Sequence, residues 1–165
     1  MTIDLLKRLG WFMVFLFVQV MVLGRIHLFG VATALLYVYF ILQTTPNYPK
    51  WGSLLWAFFL GLFIDIFSNT PGLAAASLTA VAAVQPYWLK IFLTQDASDH
   101  FVPSFRTLGP VKYIYYSLPL VLLFCLLLFT LEQFSFFQAG YWLGCILGST
   151  LLTMVLILTF EFAKK

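Results

Sequence analysis

Two neighbouring apolar stretches, and the short polar turn that joins them, decide the fold. Residues 51–67 read WGSLLWAFFLGLFIDIF, residues 73–93 read LAAASLTAVAAVQPYWLKIFL, and the turn at 68–72 reads SNTPG. Each stretch is close to the roughly 20 residues that a helix needs to cross the hydrocarbon core of a bilayer. Both are apolar all round, whereas a strand of an outer-membrane barrel would be about ten residues long and polar at every second position. The pair therefore predicts two membrane-spanning helices joined by a tight turn.

The same pattern recurs along the whole chain. Hydrophobic residues make up 62% of the 165 residues and charged residues 9%, against roughly a quarter charged in soluble domains. The predicted spans are about 9–23, 28–42, 51–67, 73–93, 110–131 and 136–162. They occupy most of residues 1–165, which predicts a single integral membrane domain. The fold class predicted is an all-α membrane protein, a bundle of six transmembrane helices.

The basic residues are sorted by this topology. Eight of the nine lie on one side if each stretch crosses once: Lys7, Arg8, Lys50, Lys90, Arg106, Lys112, Lys164 and Lys165. The other side receives Arg25 alone. Because short loops rich in Lys and Arg stay in the cytoplasm, both termini are predicted to be cytoplasmic. The net charge of +3 then reflects these loops and their attraction to anionic membrane lipids, and it predicts no nucleic-acid binding.

Small residues recur at helical spacing in three of the stretches. The sixth carries Gly140, Gly144 and Gly148, the fourth carries Ala76 within a run of alanines, and the third carries Gly61 in line with Asp65. Small residues four apart let helix backbones approach closely in lipid. Two interpretations stay open: packing within the bundle, or a face that docks a membrane helix of another protein.

Asp65 is the one acidic residue well inside an apolar stretch. A charge at that depth is costly and is usually paired or directed to a cavity. We expect either an ion pair with Arg25 or hydrogen bonds from Asn69 and Thr70. A proton relay would need a chain of ionisable groups, which the sequence does not offer. Pro71–Gly72 predicts a turn that starts the next helix.

The sequence contains no pattern of a catalytic, metal or cofactor site. Cys125 and Cys145 lie inside apolar stretches without a Cys-x-x-Cys or Cys/His grouping. Neither a phosphate-binding P-loop nor an H-E-x-x-H motif occurs. We therefore expect no metal, no cofactor and no enzymatic activity. Glu161, three and four residues before Lys164 and Lys165, predicts ordinary helical ion pairs.

Three parts of the chain resemble the rod shape-determining protein MreD family of bacteria. Residues 24–30 (GRIHLFG) with 35–42 (LLYVYFIL) resemble the family's first turn and second helix. Gly61 to Asp65 resembles its third-helix Gly-x-x-x-Asp, and residues 71–75 (PGLAA) resemble the turn into its fourth helix. The likeness covers residues 24–84 best, and the remainder matches in length and hydropathy.

The resemblance implies a non-enzymatic inner-membrane subunit of the cell-elongation machinery, supporting peptidoglycan synthesis and cell shape. It implies binding to the scaffold protein MreC and, indirectly, to MreB, RodA and penicillin-binding protein 2. The residues then expected to bind the partner or support the fold are Arg25, Gly61, Asp65, Pro71, Gly72, Ala76, Gly140, Gly144 and Gly148.

An alternative follows from the same resemblance, because the family is similar in fold to the substrate-binding subunits of energy-coupling-factor transporters. In that case the chain would bind a vitamin-type small molecule. Those subunits dock their motor through an Ala-x-x-x-Ala face on the first helix, whereas the first stretch here has neither Ala nor Gly from Trp11 to Leu23. The outer side also looks sparse in polar groups, with Asp65, Arg25, His27, Asn69 and Glu132 as its members.

Overall fold

The computed structural model describes residues 2–22, 25, 27–28, 32–93, 101–133 and 138–164. In chain order its elements are α1 (Thr2–Met21), β1 (His27–Leu28), β2 (Ala32–Thr33), α2 (Val38–Leu42), α3 (Lys50–Ser68), α4 (Leu73–Phe92), α5 (Phe105–Leu108), α6 (Pro110–Gln133) and α7 (Ala139–Ala163). The described part is predominantly helical, as expected of an all-α membrane protein. Gly24, Ile26 and Phe29–Gly30 of the first-turn motif lie outside the described residues, as do 94–100 of the longest polar break.

Among the described residues, three helices are long and apolar enough to cross a membrane: α3, α6 and α7. Helices α1 and α4 have 20 residues each and are therefore of similar length, but they are more polar. Helix α1 begins at Thr2, seven residues before the predicted start at residue 9, and so takes in Asp4, Lys7 and Arg8. Helix α4 carries Gln85 and Lys90.

The prediction of a helix over residues 28–42 is wrong. This stretch forms β1, which pairs antiparallel with β2, and then only the five-residue helix α2. Every residue from Ala34 to Leu42 is buried. Its hydrophobicity therefore reflects enclosure by the other helices, which hydropathy alone does not distinguish from contact with lipid. We call residues 32–44 the buried segment.

The buried segment follows α7 through the protein interior. The Thr33 backbone N–H donates to Ser149 Oγ, and further along the segment the Tyr39 hydroxyl donates to Glu161. Ser149 and Glu161 are separated by about 18 Å of helix. The chain thus passes through much of the bundle's thickness at this point without a continuous helix.

Basic side chains and aromatic rings meet at one end of the bundle, which we call the basic–aromatic end. The Arg8 guanidinium lies 3.7 Å from the centre of the Tyr48 ring, and Lys50 Nζ lies 3.1 Å from the Tyr87 hydroxyl. Lys164 Nζ lies 5.6 Å from the ring centre of Trp11. These contacts bring together the start of α1, the start of α3, the end of α4 and the end of α7. Cation–π contacts of this kind add to stability at a lipid–water boundary.

Candidate functional site

Gly61 and Asp65, singled out in the third stretch, lie where α3 packs against the first turn of α4. A Cβ added to Gly61 would lie 2.4 Å from the Ala75 Cα and 2.6 Å from the Ala75 backbone nitrogen. Real Cβ atoms do not approach backbone this closely, so only glycine fits at position 61. The contact brings the two helix backbones together, as small residues do between helices in membranes.

Asp65 lies one helical turn beyond Gly61 and caps the start of α4. Its Oδ1 accepts hydrogen bonds from the Ala74 backbone N–H and the Thr70 hydroxyl, both at 2.9 Å. Its Oδ2 accepts one from the Ala75 backbone N–H, also at 2.9 Å. These two N–H groups belong to the first turn of α4, where the helix lacks internal partners for its donors and favours negative charge. We call Gly61, Asp65, Thr70, Ala74 and Ala75 the helix clamp.

The turn between the two helices has the backbone conformation that the clamp needs. Asn69 ends α3 in the left-handed region with φ of 56°, and its backbone N–H donates to the Asp65 carbonyl oxygen. Gly72 precedes α4 with φ of 80°, a conformation that side chains other than glycine rarely adopt. Pro71 lies exposed between them. The turn thereby places the backbone N–H groups of Ala74 and Ala75 against the Asp65 carboxylate, nine and ten residues after it in the chain.

One of the two expected arrangements of Asp65 is present. The hydrogen bond from Thr70 to the carboxylate is confirmed, and two backbone donors accompany it. Asn69 instead donates its backbone N–H to the main-chain carbonyl oxygen of Asp65. In the described part of the chain no ion pair joins Asp65 to Arg25. Asp65 is 3% exposed, and backbone N–H groups supply the stabilisation that an ion pair would otherwise provide.

Arg25 instead borders a cavity of about 530 Å³ near the clamp. It lies at the opposite end from the basic–aromatic end, and we call it the outer cavity after the topology that the charge distribution predicts. Its lining includes Gln19, Thr33, Tyr37, Thr70, Leu128 and Glu132. The expectation that this side is sparse in polar groups was therefore wrong, since residues far apart in sequence converge there.

The remaining small residues divide between the two interpretations. A Cβ at Gly148 would lie 3.3 Å from the Ala32 Cβ, so this glycine packs inside the protein against the buried segment. A Cβ at Gly140 would meet nothing within 4 Å. Gly144 is half-buried and Ala76 is exposed. Gly148 therefore serves internal packing, whereas Gly140 and Ala76 lie on surface that another helix can reach.

Sequence reasoning missed the polar side chains that bind the backbone of the buried segment. Thr153 Oγ1 accepts from the Leu35 backbone N–H at 3.2 Å, and Gln19 Nε2 donates to the Ala34 carbonyl oxygen at 2.8 Å. At the end of the segment, Gln85 Nε2 donates to the Thr44 carbonyl oxygen at 3.2 Å. In the sequence, the signal that could have indicated these contacts was the presence of isolated polar residues inside apolar stretches.

Tyr116 completes this set of side-chain partners. Its hydroxyl donates to the Leu42 carbonyl oxygen at 2.9 Å and accepts from Gln85 Nε2 at 2.8 Å. Leu42 is the last residue of α2, where carbonyl groups have no partner within the helix. In a bilayer such groups find no water, so irregular backbone persists only where protein groups satisfy it.

The prediction of an ion pair between Glu161 and Lys164 was also wrong. Glu161 is 5% exposed, and its carboxylate accepts hydrogen bonds from the Tyr39 hydroxyl and, at 3.2 Å, from the Phe105 backbone N–H. It makes no ion pair with Lys164, whose ammonium group lies over Trp11, and Lys165 lies outside the described residues. Helical spacing identified a possible pair, but the inward direction of the Glu161 side chain excludes it.

Comparisons with known proteins give no match for this chain among protein-family models, curated proteins or solved structures.

Proposed function

We propose that this chain is a non-enzymatic, multi-pass subunit of the bacterial inner membrane that acts as a protein–protein adaptor in the cell-elongation machinery. Its partner in this proposal is the single-span scaffold MreC, through which it reaches MreB, RodA and penicillin-binding protein 2. The observation that carries the proposal is the helix clamp. Two of the three parts on which the MreD resemblance rests, Gly61 to Asp65 and residues 71–75, form one interlocked structure.

The topology of the proposal has the chain crossing the membrane six times, with the buried segment as the irregular second crossing. Both termini are then cytoplasmic, and the basic–aromatic end faces the cytoplasm. Impermeant maleimide labelling in spheroplasts tests this. Cys125 and Cys145 are buried, so single cysteines introduced at exposed positions report the side. We expect labelling of Gln138→Cys but not of Lys7→Cys or Lys164→Cys, and labelling of either lysine position would refute the topology.

The surface proposed to bind the partner is the outward face of α3 and α4. On α4, Ala76 and Ala83 are exposed and leave a shallow strip without large side chains. On α3, Phe59 and Phe63 are 47% and 43% exposed. A strip of small residues on α4 suits close packing of a single membrane helix.

Co-purification of the tagged full-length chain from membranes, with mass spectrometry, tests the function. We expect recovery of a single-span scaffold protein with the original chain. Ala76→Leu and Ala83→Leu should lose that partner while remaining folded, and Gly140→Leu on α7 is the matched control that should keep it. Equal recovery with all three variants would place the interface elsewhere, and absence of any single-span partner would refute the adaptor.

A second candidate is the vitamin-type binding subunit of an energy-coupling-factor transporter. The outer cavity favours it, because a small-molecule site needs a concave space with several polar groups. Recovery of an ATPase-coupled motor in the same co-purification would rank this candidate first.

A further inference from the structure

The outer cavity has the size and composition of a ligand site. Its volume of about 530 Å³ lies within the roughly 300–1,000 Å³ of small-molecule pockets. It is bordered by α1, the buried segment, the turn from α3 to α4 and the end of α6. Neither the helix clamp nor the proposed partner surface on α3 and α4 explains this space.

Two opposite charges border the cavity. The Arg25 and Glu132 side chains are exposed and line the same space, and no ion pair joins them in the described ranges. Arginine presents a planar set of donors that matches a phosphate group, and a carboxylate accepts hydrogen bonds from an ammonium group. A ligand that carries both charges can therefore satisfy both side chains.

A buried amide, Gln19, lies behind the cavity wall. Gln19 is 4% exposed, and its Nε2 is committed to the Ala34 carbonyl oxygen. Its Oε1 has no hydrogen-bond partner among the described residues. That oxygen is enclosed by protein, so the charged side chains of Arg25 and Glu132, and not Gln19, are the groups that an occupant of the cavity can reach.

Much of the remaining wall is apolar, beside the hydroxyl groups of Thr33, Ser68 and Thr70. Leu35, Tyr37, Leu128 and Phe129 line the same space, and the Tyr37 ring is held edge-on against Phe124 with ring centres 5.3 Å apart. A wholly polar ligand would leave this surface uncovered. The occupant is better matched by a molecule in which the charged groups are joined to an apolar part.

We propose that the outer cavity binds a phosphate–ammonium zwitterion, with the phosphate at Arg25, the ammonium group at Glu132, and any attached apolar chain against Leu128 and Phe129. Two sources share this chemistry. One is the ethanolamine phosphate headgroup of a membrane lipid, and the other is the free headgroup in solution outside the membrane.

Binding to the purified, delipidated full-length chain in detergent, followed by native mass spectrometry, tests the proposal. The probes are dioleoylphosphatidylethanolamine, its anionic counterpart dioleoylphosphatidylglycerol, and soluble glycerophosphoethanolamine. We expect the ethanolamine lipid to bind about tenfold more tightly than the glycerol lipid, since only the former offers a charged donor to Glu132. Comparable binding of the soluble headgroup would identify the free zwitterion as the source, and binding of the lipid alone would identify the membrane.

Two exposed-residue variants make the test specific. Arg25→Gln should weaken binding of the ethanolamine lipid about tenfold, and Glu132→Gln should remove the preference over the glycerol lipid. Lys112→Gln, an exposed basic residue of α6 outside the cavity lining, is the control and should change neither. Equal binding of the two lipids to the original chain, or no effect of either cavity variant, would overturn the proposal. Because the isolated chain is measured, the result does not depend on recovery of a protein partner.

Discussion

The α3–α4 pair and the buried segment satisfy the hydrogen-bonding groups of their backbones in opposite ways. In the pair, each backbone is satisfied within its own helix, and a single carboxylate, Asp65, binds the free donors at the start of α4. In the buried segment, backbone groups are satisfied by side chains of four other helices, including Thr153 of α7 and Tyr116 of α6. An apolar sequence is compatible with both a continuous helix and an irregular segment bound by side chains. What distinguishes them is where the surrounding polar side chains lie.

The comparison implies that the pair depends on close backbone approach and the segment on individual hydrogen bonds. Substitutions that separate the backbones should therefore cost more than substitutions that remove one bond. The loss for each variant is a change in the free energy of unfolding, measured by titration with sodium dodecyl sulfate in mixed micelles.

The largest effect is expected for Gly61→Leu. A side chain at this position collides with the Ala75 backbone, which cannot move without separating α3 from α4. We expect a loss of about 3 kcal/mol or more, or no folded protein. Gly140→Leu is the matched control, because nothing lies within 4 Å of the position of its Cβ. A Gly61→Leu protein as stable as the control would show that the two backbones are not closely packed.

Removal of the clamp carboxylate should cost less. Asp65→Ala leaves the Ala74 and Ala75 N–H groups in a buried site without an acceptor, and we expect a loss of about 2 kcal/mol. Asp65→Asn keeps one acceptor oxygen and should lose about half as much. If the two variants were equally stable, the hydrogen bonds to the backbone would not be the source of the stabilisation.

The sequence predicts the pair well because its determinants are local. Gly61, Asp65 and Gly72 lie within twelve positions of one another, and helical spacing with turn chemistry relates them directly. The buried segment is different, because its partners Ser149 and Thr153 lie more than one hundred residues away. No local pattern reports such contacts, so residues 28–42 appear from sequence to be another span.

The outer cavity was missed for the same reason. Arg25, Thr70 and Glu132 belong to three separate parts of the chain, and each looks isolated in the sequence. Glu161 shows the converse error, in which a local pattern is present but the side chain points inward. Local spacing therefore predicts helices and their turns, whereas polar groups inside the bundle are decided by packing.

On the side of the buried segment, Thr153→Val removes one hydrogen bond at nearly constant volume. Thr153 is fully buried, and the Leu35 backbone N–H that it accepts from would be left without a partner. We expect a loss of about 1 kcal/mol, in line with hydrogen bonds between helices in membranes. Thr159→Val is the matched control, since the exposed Thr159 hydroxyl bonds only to the Val155 carbonyl of its own helix. If Thr159→Val lost as much stability as Thr153→Val, the hydrogen bond between Thr153 and the buried segment would not be the source of the stabilisation.

The smallest effect is expected for Ser149→Ala, one turn earlier on α7. Its hydroxyl accepts from the Thr33 backbone N–H at 3.0 Å, but this contact is only partly buried, and Thr33 borders the outer cavity. Water in the cavity can replace the lost acceptor, so we expect a loss of about 0.5 kcal/mol. The ethanolamine lipid, by displacing that water, should raise the loss toward the value for Thr153→Val. A loss that is the same with and without lipid would separate the stability of the buried segment from occupancy of the cavity, and would show that the two regions are not energetically coupled.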